Sequence, residues 1–223
     1  RSSDTALATD VGAGMSASRI WGFTARKSDQ VGGRVTIGNA SMLVEPWNPV
    51  AGTNWVYDMM IIRGTGQQAA IPDPFTGLYR SQRVKKAEVT CLEGLPVTKT
   101  LDWVDLDFAD QIQVPGDAWI DWDAKTQKFI TVSEAGKAGL TAKSKVIVHY
   151  EDNLFGDTKW HDGSPLSLAD MVMSLVLSFD RAKPESKLFD TAAQVSFRSF
   201  QETFRGIRIV NENPLVIEYY TDQ

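Results

Sequence analysis

The sequence predicts an α+β protein, a mixed or antiparallel sheet with few helices. Three observations predict it. RVKKAEVTCLEG and SKVIVHYED alternate apolar and polar residues with the period of a strand. LADMVMSLVLSF instead carries apolar residues at helical spacing. Proline and glycine interrupt most of the stretches between such runs.

Composition bounds the function classes. The chain has 223 residues, 43% hydrophobic and 23% charged, which suits a globular core. Its net charge is −5, from 23 basic and 28 acidic residues. No basic tract interrupts it, so no nucleic-acid partner is expected. No apolar run reaches the roughly 18 residues a membrane helix needs. The single cysteine, Cys91, excludes an internal disulfide and a multi-cysteine zinc site. The chain opens at Arg1 without a signal-peptide pattern, and a processed or excised chain is expected.

Taken in order, residues 1–31 read as a weakly patterned, partly flexible extension rich in Ser, Ala and Gly. GGRVTIGNA is a glycine turn and a short strand, with Val35 and Ile37 on one face. The prolines of SMLVEPWNPVAGTNW forbid regular structure. WVYDMMIIRGT is a helix or buried run ending at Gly64, and QQAAIPDPFTGLYRSQR a punctuated loop. In RVKKAEVTCLEG, Val84, Ala87, Val89 and Cys91 are the inward residues. VTKTLDWVDLDF alternates as well, pointing to Leu101, Val104, Leu106 and Phe108 as inward. In SKVIVHYED, Val146, Val148 and Tyr150 share one face, with Ile147 and His149 on the other.

The clearest helix follows KWHDGSPLSLAD, residues 159–170. Asp162-Gly163 is a turn dipeptide, with Asp162 expected to accept backbone hydrogen bonds. Ser167 and Asp170 have the spacing of a capping box, with Asp in the first turn. Leu168, Met171, Val172, Leu175, Val176 and Phe179 fall on one helical face, and Pro184 stops the run. SFRSFQETFRGI predicts a second helix bearing Phe197, Phe200 and Phe204, and IRIVNENPLVIEYYTD a strand, a turn at Asn211–Pro214 and a strand.

His161 and His149 have no metal-ligand spacing, and no metal or cofactor is expected. The seven tryptophans supply core or stack on a ligand. The carboxylates of DWVDLDFAD and DAWIDWDAK, near tryptophans, raise the alternative of a glycoside hydrolase or carbohydrate-binding domain. Asp102, Asp105, Asp107 and Asp110 on an alternating strand decorate a solvent face, and Asp121 and Asp123 flank Trp122 at a turn or strand edge. No nucleophile elbow, phosphate loop, dinucleotide fingerprint or HExxH is present, and a non-enzyme is expected.

WHDGSPLSLADMVMSL resembles the signature region of family 5 extracellular solute-binding proteins, the dipeptide and oligopeptide receptors of ABC importers. Trp160, Asp162, Gly163, Ser164, Pro165, Leu166 and Asp170 carry the match. GIRIVNENPLVIEYY is similar to a later hairpin of the same proteins, and WNP at 47–49 and NWVYD at 54–58 resemble earlier landmarks. Residues 66–142 are longer than the usual connector and look like a long-insert subgroup; residues 1–31 have no counterpart in short members. The resemblance implies a periplasmic-binding-protein type II-like fragment, with 32–223 as part of the main lobe plus the small extra domain. It implies an extracytoplasmic receptor that closes two lobes on a small oligomeric ligand, a peptide or an oligosaccharide, without chemistry. Relatives also bind nickel complexes and opines. The partners it implies are permease subunits of an ABC transporter, with membrane association only through these or a lipid anchor outside the chain. Ligand contacts are expected from Ala51, Gly52, Thr53, Asn54 and Trp55, their backbone pairing with an extended peptide and Trp55 stacking on a side chain or sugar ring.

Overall fold

A computed structural model describes residues 68–73 and 76–223, and the backbone of two short strands, β1 (Leu7–Ala8) and β2 (Phe23–Thr24), which pair antiparallel. The expected strand at GGRVTIGNA and the helix or buried run at WVYDMMIIRGT lie outside the described residues. The chain divides into two compact units, 1–82 and 83–223.

Within the first unit, the punctuated loop expected from residue 67 onward contains an antiparallel hairpin, β3 (Ala70–Pro72) with β4 (Tyr79–Ser81). Pro72 is tolerated because it ends its strand, where a missing N–H matters least. Asp73 closes the turn, its carboxylate accepting from the Thr76 amide at 3.2 Å and pairing with Arg80.

The second unit is α+β. Its seven-stranded mixed sheet has the order β6–β5–β11–β13–β12–β8–β9. The strands are β5 (Val84–Leu92), β6 (Val104–Ala109), β8 (Trp119–Asp123), β9 (Lys128–Thr131), β11 (Ser144–Tyr150), β12 (Phe204–Glu212) and β13 (Leu215–Thr221). All neighbours are antiparallel except β5 and β6. A small hairpin pairs β7 (Ile112–Gln113) with β10 (Thr141–Ala142). The helices among the described residues are α1 (Leu154–Asp157), α2 (Leu168–Asp180) and α3 (Thr191–Thr203), and none is long and apolar enough to cross a membrane.

Register assigns each side chain to a face. Cys91, Ser144 and Thr221 align across β5, β11 and β13, as do Val89, Val146 and Tyr219. Ile147 and His149 point the other way, as expected. Val84 and Ala87 are both buried although their spacing breaks strict alternation. A register shift at the end of β11, where Tyr150 pairs with Val84 and His149 with Lys86, absorbs the extra residue. A second shift in β8 places Trp119 and Trp122 on one face.

Two cores result, one on each face. α2 and α3 cover one face, where Phe179 is fully buried among Trp122, Phe197 and Phe204. Phe179 meets Phe197 and Phe204 edge-on, at ring separations of 4.9 and 5.7 Å. Truncating such a side chain to Ala costs about 3–5 kcal/mol. On the opposite face Tyr220 packs against Ile112, Val114, Ala118, Ile120 and Val132. Gly206 lets β12 approach this core, since a Cβ there would lie 3.1 Å from Val114 and 3.3 Å from Ala118.

Two elements depart from expectation. Phe204 begins β12 and is not the last helical phenylalanine; α3 ends at Thr203. Its ring still stacks on Phe200 at 4.6 Å, so the apolar spacing reports a contact across the helix–strand junction. The strand expected from Val97 begins only at Val104. β5 and β6 are parallel, so the chain must first return along β5, and residues 93–103 make that return outside the ladder. Phe108, expected inward, is 41% exposed because β6 is the outermost strand of the sheet.

Candidate functional site

The segment from Lys159 to Asp170 builds a hairpin turn and a helix cap. Lys159 and Pro165 form an isolated bridge, and the Trp160 amide donates to the Ser164 carbonyl at 2.8 Å. Gly163 takes a left-handed φ of 89° that a Cβ would strain. Asp162 accepts from the Ser164 hydroxyl at 2.6 Å and its amide at 2.9 Å, as expected for a turn residue. These bonds hold its carboxyl below the usual range. Asp170 reaches back to the Ser167 amide and hydroxyl, both at 2.7 Å. The Ser167 hydroxyl, then its amide and the Trp160 side chain, lower the Asp170 pKa. Trp160, the first residue of the turn, is 49% exposed. His161 is exposed, and no group of three or more His, Cys, Asp or Glu is placed to hold a metal among the described residues.

The carboxylates near tryptophans are spread over β6 and β8. Asp105 and Asp107 are exposed on β6. Asp121 pairs with Lys183 at 2.6 Å. Asp123 accepts from the Lys125 and Thr126 amides at 2.8 and 3.2 Å, closing the β8–β9 turn. Bonds from Thr126, then Lys125, lower its pKa. Trp119 stacks on Phe129 with the rings 4.4 Å apart and 2° from parallel, which places it in the packing around α2.

Two buried polar clusters escape sequence reading. Asp180, at the end of α2, accepts from the Trp122 indole N–H at 2.7 Å, the Gln127 side-chain Nε2 at 3.3 Å and the Ser186 hydroxyl. On the other face, buried Glu218 accepts from Arg208 Nε at 2.9 Å and from the Tyr220 hydroxyl at 2.7 Å. Arg208 also pairs with Asp117 at 3.1 Å. Burial, then the Glu218 hydrogen bond, pushes the Tyr220 phenol well above its ordinary value. Burial works against the charge of Arg208, but Glu218 and Asp117 outweigh it and raise its pKa. An Asp ending an amphipathic helix and an Arg and a Glu in strands read as surface residues; only their places in the packed sheet reveal them.

An apolar cleft of about 260 Å³ opens between α2 and the sheet, lined by Trp119, Met171, Leu175, Ile207, Ile209 and Ile217 among others. The hydroxyls of Ser174 and Ser178 on its rim turn back to helix carbonyls at 2.8 Å. The expected ligand contacts Ala51, Gly52, Thr53, Asn54 and Trp55 lie outside the described residues. No protein-family model and no curated protein matches the chain.

Proposed function

We propose that the chain acts as a substrate-binding component of an ABC transporter importing peptides or other small oligomeric solutes, outside the cytoplasm. It binds by lobe closure and leaves its ligand chemically unchanged. The observation that carries this reading is the Trp160–Asp170 segment. Its Asp-Gly turn, held by Asp162, runs into a helix capped by Ser167 and Asp170, and that helix lies on a mixed sheet. The residues that make the turn and the cap are those that carry the family resemblance. The engagement of Asp121 by Lys183 and of Asp123 by its own turn favours this reading over hydrolysis. Closure requires that ligand bind one arrangement of the lobes better than the other. Ligand is held by the backbone of Ala51 to Asn54 and by Trp55, and the closed receptor docks on permease subunits.

The test is a thermal-shift screen of the protein with peptides of two to five residues and with oligosaccharides, followed by calorimetry and chromatography of the recovered ligand. Saturable binding with ligand recovered intact, weakened by Trp55→Ala, is expected. Shortened oligosaccharides in the recovered fraction would overturn the proposal in favour of a glycoside hydrolase.

A further inference from the structure

We draw no further inference here: the strongest candidate, the apolar cleft of about 260 Å³ between α2 and the β8–β12–β13 face of the sheet, carries nothing, because nothing in the structure shows what covers it.

Discussion

The Trp122 indole N–H donates to the buried carboxylate of Asp180 at 2.7 Å, joining β8 to the last residue of α2. The other donors to that carboxylate, Gln127 and Ser186, are neutral too. A buried acceptor that loses a donor keeps its desolvation penalty. Trp122→Phe is therefore expected to lose about 1–3 kcal/mol in urea unfolding, beyond the small change in apolar area. Trp122→Phe combined with Asp180→Asn should lose less than the sum of the single changes. Strict additivity would show that the bond contributes nothing to stability.

Arg208 and Tyr220 both reach Glu218. Replacing Arg208 by Met leaves a buried carboxylate with the phenol alone. A loss of about 2–3 kcal/mol is expected by denaturant titration. Tyr220→Phe tests the alkaline side. Because the folded phenol is held above its unfolded value of about 10, its contribution is complete below that pH and disappears as pH rises above it. The parent should lose stability above about pH 10 more steeply than Tyr220→Phe does. Matching alkaline limbs would remove Tyr220 from the account.

Gly206 sits where β12 presses on the second core. Gly206→Ala should destabilise by about 1–3 kcal/mol, the usual range for overpacking. Pairing it with Ala118→Gly, which opens the facing position, should recover part of the loss. If the double variant is no better than the single, the contact with Val114 or backbone strain, rather than crowding against Ala118, is responsible.

Asp162 and Asp170 have carboxyls held below their ordinary values by Ser164 and Ser167. Their contribution is present above the unfolded value of about 4 and is lost as pH falls through the folded one. Melting temperature should hold steady from neutral pH to about 5 and then decline. Asp170→Asn should melt lower than the parent at neutral pH, with a shallower acid decline. An identical acid limb in both proteins would contradict the cap.

β6 is the outer strand beside β5 among the described residues. The amides of Ala87 and Glu93 donate to the Trp103 and Ala109 carbonyls, so Val104, Leu106 and Phe108 turn their backbone groups outward. Asp107 blunts this edge twice, by its charge and by accepting the Phe108 amide at 2.9 Å. Asp107→Ala is expected to self-associate with rising concentration in sedimentation velocity, where the parent does not. Equal sedimentation of the two would mean that the edge is guarded by other means.

The local parts of the fold were legible in the sequence where one segment carries its own signal. α2 announced itself through the Ser167–Asp170 spacing and a single apolar face, and β11 through clean alternation. Legibility failed where a distant partner decides. Val84 and Ala87 share the interior only because β11 shifts register opposite them. Val97 to Trp103 alternates like a strand, yet a parallel neighbour requires that stretch for the return. Phe204 has helical spacing but strand geometry, because Thr221 pairs with it. Of the candidate site, the turn and the cap were readable from Asp162, Gly163, Ser167 and Asp170. The burial of Asp180 was not, since a polar helix end looks the same whether it meets water or an indole.

β13 occupies the middle of the seven-stranded sheet, between β11 and β12, yet it is the last of those strands to leave the ribosome. During synthesis β6, β5 and β11 can form one ribbon and β12, β8 and β9 another, each with an unsatisfied edge. Residues 215–221 act as the keystone that joins them. The ladder of this unit can therefore be completed only from its centre, once residues 215–221 have been made.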